Sequence, residues 1–165
     1  MNTADLKEEI LLLLQENART PLQEIADRLM TAPETVRQLV DELERDGLLM
    51  GYHAVVNQDL LPSPKVRAII EVEVQPERDG GFDRVARTIS KFEEVESVFL
   101  VSGRYDLRLE VVGESLQQVA FFVASKLAPL NGVQATATHF ILKKYKEAGF
   151  ALQKDEEYER LKVTP

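Results

Sequence analysis

Two prolines, Pro62 and Pro64, stand within three residues of each other where the hydrophobic pattern of the chain changes its period. Before them, apolar residues recur every three or four positions; after them, strands and helices alternate. Proline has no N–H to donate and a fixed φ, so neither a helix nor a central strand can run through the pair. The chain therefore reads as two units: 1–56, a linker over 57–64, a second unit over 65–146, and a charged extension over 147–165. Its 165 residues are enough for two small domains. Without cysteine it has no disulfide framework, thiolate metal site or cysteine nucleophile.

The first unit reads as three helices. Helix one spans Thr3 to Glu16, with Leu6, Ile10, Leu13 and Leu14 on one stripe, and Asn17-Ala18-Arg19 breaks it. Helix two opens at Thr20-Pro21-Leu22-Gln23, where Thr20 and Gln23 have capping-box spacing. Helix three opens at Thr31-Ala32-Pro33-Glu34 with the same spacing, and carries Val36, Leu39, Val40 and Leu43 at i, i+3, i+4 and i+7. Gly47 ends it, and Leu48–Val56 fits a short hairpin or strand.

The second unit alternates. Val66, Ala68, Ile70, Val72 and Val74 mark Lys65–Gln75 as a strand. A helical stripe (Phe82, Val85, Ile89, Phe92) follows, then strands at Ser97–Ser102 and Asp106–Val112 joined by Gly103-Arg104-Tyr105. A helix capped by Ser115 and Gln118 carries Leu116, Val119, Val123 and Leu127, and Val133–Leu142 is the last strand. The extension from Glu147 reads as a short helix or a frayed end. The order β-α-β-β-α-β is that of a ferredoxin-like sheet with two helices on one face, an α+β fold. The opposite set of strand positions holds Ile69, Phe99, Val101, Phe140 and Leu142. Apolar residues on both faces call for a second cover, most simply another copy in a two-fold homodimer. The other cover on offer is the hairpin or the tail folding back.

Composition narrows function by exclusion. The net charge is −8, from 20 basic and 28 acidic residues. Residues 1–60 hold five basic and twelve acidic residues, a net of −7, which argues against non-specific wrapping of nucleic acid. The acidic N-terminus is unlike a signal peptide, the apolar runs are too short for a membrane span, and the default compartment is the cytoplasm. Only His53 and His139 are present, in different halves and without metal-ligand spacing. No catalytic set, metal site or cofactor is expected.

A short helix, a tight turn and a second helix with one apolar stripe make a helix-turn-helix, whose second helix enters the major groove by its N-terminal part. Off the stripe of helix three stand Thr35, Arg37 and Gln38. Arg37 suits a guanine edge or a phosphate, Gln38 an adenine, and Thr35 a phosphate or base. Three-helix units also occur as plain packing modules.

Asn17-Ala18-Arg19, Ile25-Ala26-x-x-Leu29 and Leu43-Glu44-x-x-Gly47-Leu48-x-x-Gly51-Tyr52 resemble the DNA-binding half of the Lrp/AsnC ("feast/famine") transcription regulators. Val101-x-Gly103-Arg104-Tyr105-Asp106-Leu107, Gly132-Val133 and Thr136-x-Thr138 resemble the sensing half. The resemblance covers about residues 3–145 and implies a winged helix-turn-helix followed by a ferredoxin-like ligand-sensing domain. It implies sheets that pair in a homodimer, dimers that build larger assemblies, double-stranded DNA as partner, and a small effector, often an amino acid, held between subunits. Gly103, Tyr105 and Asp106 match the family's effector loop. A bare hairpin turn would explain the same residues. The chain departs from the family at Met30, where glycine is common, at Ala32, where serine caps, and at Gln38 and Leu39, where basic residues are usual. Weaker, more salt-sensitive DNA binding is the expectation. Two other readings keep the fold: a subunit like siroheme decarboxylase, needing His139 and Arg104 at a tetrapyrrole, and a sensor without DNA binding.

Overall fold

The computed structural model describes residues 2–76 and 81–152, which fall into two compact units, 1–56 and 57–165. The first contains α1 (Thr3–Glu16), α2 (Leu22–Arg28) and α3 (Pro33–Arg45). Ile10 and Leu14 of α1, Ile25 and Ala26 of α2, and Val36, Leu39, Val40 and Leu43 of α3 close one core. Asn2 caps α1 in a reciprocal box: its side chain accepts from the N–H of Asp5 at 2.9 Å, and Asp5 accepts from the N–H of Asn2 at 3.1 Å. At the other end of the unit, Gly47 adopts φ +73°, and the N–H of Leu48 donates to the carbonyl of Leu43 at 3.0 Å. That left-handed residue and six-to-one bond are the usual stop of a helix.

The two capping boxes expected at Thr20 and Thr31 are absent. Pro21 and Ala32 occupy the N-cap positions, and neither makes a side-chain cap. The Thr20 hydroxyl instead donates to the carbonyl of Asn17 at 2.8 Å, which commits it to the turn after α1. Gln23 donates to Asp27, and Glu34 pairs with Arg37, so neither side chain reaches back. Residues 50–57 form no strand, so the expected hairpin is not made. A two-stranded ribbon with no third strand or helix behind it is marginal in water. The Tyr52 hydroxyl donates to Glu44 at 2.8 Å and ties this segment back to α3.

The second unit begins with a single 3₁₀ turn (Gln58–Leu60) and contains β1 (Val66–Val74), α4 (Asp83–Ile89), β2 (Val95–Leu100), β3 (Leu107–Gly113), α5 (Leu116–Phe122) and β4 (Val133–Phe140). The sheet is antiparallel with order β2-β3-β1-β4, so β1 is paired on both sides. Alternate residues of β1 (Ala68, Ile70, Val72, Val74) are buried against Val85 and Ile89 of α4 and Val119 and Phe122 of α5. Phe92 meets Phe122 edge-on at 5.5 Å. Ser115 caps α5 as expected, accepting from the N–H of Gln118, while Gln118 reaches back to the N–H of Glu114 instead. A wide turn over Val123–Leu127 continues α5 and brings Leu127 into the core. Lys126 on that turn pairs with Glu94; its hydrogen bond holds the Glu94 carboxyl below the usual carboxylate range.

Two expectations for the sheet's surroundings need correction. Phe140 pairs across from Ala68 and therefore points to the helix-covered face, where it packs on the core. The opposite face is not a continuous apolar surface. Ile69 and Phe99 share it with Glu71, Arg108, Glu110 and His139, by register. Arg67 pairs there with Glu96 at 2.6 Å, and the His139 ring lies 3.2 Å from the Glu71 carboxylate. Val101 and Leu142 lie beyond the strand ends. The extension forms neither a helix nor a frayed end at its start. β5 (Lys146–Glu147) and β6 (Phe150–Ala151) make a minimal hairpin across Ala148-Gly149. Residues 153–165, the rest of the expected extension, lie outside the described residues.

Met30, in the turn between α2 and α3, adopts φ +50° and is 93% exposed. A left-handed non-glycine residue carries about 1–2 kcal/mol of strain, partly offset by the unfolded-chain entropy that glycine adds. Met30→Gly is therefore expected to raise stability by up to about 1 kcal/mol in urea unfolding; a lower midpoint would show that the Met30 side chain contributes packing.

Candidate DNA-binding and effector-binding surfaces

The first candidate surface is the N-terminal half of α3. Its buried stripe fixes which residues face outward. Val36, Leu39 and Val40 point inward, so Arg37 and Gln38 are exposed and Thr35 is half-buried at the edge. Leu39 belongs to the core, so it is not a groove-facing position. The Arg37 guanidinium lies 3.6 Å from Glu34, one turn back, with both side chains largely in solvent. Such an exposed pair is worth at most about 1 kcal/mol, so Arg37 can exchange Glu34 for a phosphate or a base at little expense. Lys7 reaches Glu42 at 2.8 Å and Asp46 at 3.9 Å, neutralising acids further along α3. The hydrogen bond from Lys7 holds Glu42 below the ordinary carboxylate range.

The second candidate surface is the loop between β2 and β3. Gly103, at φ +147°, takes a conformation that side chains rarely adopt, and a Cβ there would meet nothing. Its glycine is required by the backbone and not by crowding. Arg104 lies with its guanidinium 5.5 Å from the Tyr105 ring centre, a cation–π arrangement. Asp106 has a task that the sequence does not reveal. Its Oδ2 accepts from the N–H of Val74 at 2.8 Å, its N–H donates to Val72 at 3.1 Å, and its carbonyl accepts from Val101 at 2.9 Å. Two of these bonds tie the end of the loop to the end of β1, and the third closes the loop by joining Asp106 to Val101. β3 begins at Leu107, opposite Val72, so the Val74 N–H lies beyond the β1–β3 ladder, and the Asp106 carboxylate supplies its acceptor. Gly103, Tyr105 and Asp106 are thus brought together on one loop. His139 and Arg104 are not: His139 pairs with Ile69, three residues along β1 from Val72 at the loop end, or about 10 Å of strand.

Comparison with known proteins follows the same division. Residues 4–50 match the winged helix-turn-helix DNA-binding model, and residues 67–149 match the Lrp/AsnC ligand binding domain. The chain belongs to the Lrp/AsnC family. It is 40% identical to the HTH-type transcriptional regulator YugG of Bacillus subtilis, over the full length of both chains. It is 27% identical to the leucine-responsive regulatory protein of Haemophilus influenzae, over 93% of this chain and 91% of that one. Among solved structures, a transcriptional regulator of Neisseria meningitidis in complex with L-Met matches with a TM-score of 0.67 and 27% identity, over 89% of this chain and 93% of that one. The AsnC protein of E. coli has the same fold, with a TM-score of 0.65 at 22% identity over 87% of this chain and 94% of that one. This member of the family is a DNA-binding transcription regulator with an effector-binding domain, not an enzyme. Among the described residues no helix is long and apolar enough to cross a membrane.

The triple bonding of Asp106 generates a stability difference between two substitutions. Asp106→Ala leaves the buried Val74 N–H without an acceptor, an expected loss of about 1–3 kcal/mol. Asp106→Asn keeps an acceptor oxygen and is expected to lose less. Thermal unfolding of both variants measures this, and equal losses would show that the acceptor at Val74 is not what matters.

Proposed function

We propose that the protein reads duplex DNA with the N-terminal half of α3, that Thr35, Arg37 and Gln38 make the contacts, and that it does so as a homodimer. The observation that carries this reading is the sidedness of α3: one stripe closes the core, and the face holding Arg37 and Gln38 is solvent-exposed. Two copies in a two-fold dimer would reach half-sites about one helical turn apart. The acidic unit supplies few cations, so affinity per copy is low, and assembly of several dimers on one site compensates through multivalency. In this reading the functional segments are 1–56 for DNA, 57–64 as linker, 65–146 for sensing and dimerisation, and 147–165 as an extension. The protein works in the cytoplasm, where the DNA is.

The effector in this reading is an amino acid at Gly103, Tyr105 and Asp106. The Neisseria meningitidis relative was solved with L-Met, which supports the ligand class. Asp106 uses one oxygen on Val74, and a carboxylate has about four lone-pair sites, so it can still accept an ammonium group. Gly103 lets a ligand approach the backbone, and Arg104 beside Tyr105 offers a cation to its carboxylate. The effector acts only through its difference in affinity between two assemblies.

Arg37→Ala is expected to weaken binding to a labelled fragment from upstream of the gene by roughly 5–30-fold, with unchanged thermal unfolding. If Arg37 meets a phosphate, the slope of log affinity against log salt also falls by about one. Unchanged binding would move the contact to another residue, and no operator in a random-sequence selection would leave a sensor without DNA binding. For the dimer, the exposed Phe99 on the open sheet face is the test position, at 47% exposure. Phe99→Arg is expected to shift light-scattering mass from dimer to monomer; an intact dimer would place the interface elsewhere.

A further inference from the structure

We propose that the second unit carries a binding site for a small oxyanion, a phosphate or a short carboxylate, in a cavity separate from the effector loop. The cavity lies where the linker meets the start of β1, the segment after β4 and the terminal hairpin. Its volume is about 60 Å³. One ordered water needs about 10–15 Å³ on the same measure, so the space holds roughly four waters, the bulk of a phosphate or a short dicarboxylate. Four of its lining residues are basic (Lys65, Arg67, Lys143, Lys144) and two are acidic (Asp59, Glu147), and Glu96 and Glu114 from outside the lining pair with Arg67 and Lys65. The attraction for an anion therefore rests on Lys143 and on the ammonium protons of Lys144 that Glu147 leaves unused.

The cations are not all spent on the protein's own acids. Among the described residues Lys143 makes no ion pair and sits over the Tyr145 ring at 5.2 Å. Lys144 is three-quarters buried and donates to Glu147 at 2.6 Å, which uses one of three ammonium protons. Lys65 lies 3.3 Å from Glu114 in an exposed, weak pair. Arg67 is held by Glu96 through two nitrogens, so it fixes the wall and contributes little net charge. The opposite walls are held as firmly. The Asn57 side chain donates to the carbonyl of Leu152 at 2.8 Å and accepts from the N–H of Asp59, clasping linker to hairpin across 95 residues of sequence. A recess lined with spare ammonium protons favours a compact dianion. Such a ligand would touch the linker from one side and the hairpin from the other, so its binding stabilises that junction.

The test is calorimetric titration of the full chain at constant ionic strength with inorganic phosphate, with succinate, and with chloride as control. Saturable binding of phosphate or succinate is expected, and the stronger of the two names the ligand class. Lys143→Gln, which removes no ion pair, should weaken it, and adding Lys144→Gln should bring the loss to about tenfold or more. The exposed Lys91→Gln should change nothing. Absence of saturation with both anions, equal response to chloride, or an unchanged constant in the double variant would overturn the proposal. Arg37 and the Gly103–Asp106 loop are untouched, so DNA binding and amino-acid binding fail or survive independently.

Discussion

β1 is the element on which the second unit depends. With β3 it is one of the two strands of the main sheet paired on both sides, and it presents four alternate apolar residues to the core (Ala68, Ile70, Val72, Val74). Burying these side chains gathers α4, α5 and the wide turn after α5 onto one face. Its two ends then carry the features that matter for function. One end receives Asp106 and fastens the β2–β3 loop; the other, at Arg67, forms a wall of the cavity beneath the linker. A change in the core of β1 would therefore be felt at both.

Charge is managed locally throughout. Lys7 with Glu42, Arg28 with Glu24, Arg67 with Glu96 and Lys126 with Glu94 are pairs within or between neighbouring elements. On α3 this leaves few cations for a polyanion, and Arg37 must trade Glu34 for DNA. The trade is feasible because the pair is solvent-exposed and weak. The Lys126–Glu94 pair is different. Glu94 is largely buried, so its ionised form depends on Lys126, and its lowered pKa contributes stability above the usual carboxylate range that is lost as pH falls through that lowered value.

Much of the fold was legible because it rests on period. The stripes of α1 and α3, the alternation of β1 and β3, and the element order all follow from side chains that must be buried together. The helix starts were less legible. Thr20 and Thr31 have the spacing of caps, but a hydroxyl has other acceptors within reach, and the two prolines set each start one residue later. β4 misled for a related reason: Thr136 and Thr138 sit on the covered face, so its alternation does not show which side Phe140 takes. At the candidate sites, Arg37 and Gln38 were readable from the stripe they avoid. The bond from Asp106 to Val74 was not, since 32 residues separate the partners.

The sequence by itself determined two units, their order of helices and strands, the inward face of α3 and the glycine turn at 103. Each of these depends on spacing along the chain and on the local geometry of single residues. Tertiary structure decided which carboxylate serves as a structural acceptor, which face of the sheet is open, and which lysines share one cavity. Those outcomes turn on distances between residues far apart in the chain. Strand register and the points where strands end set those distances, and neither leaves a mark in the local pattern.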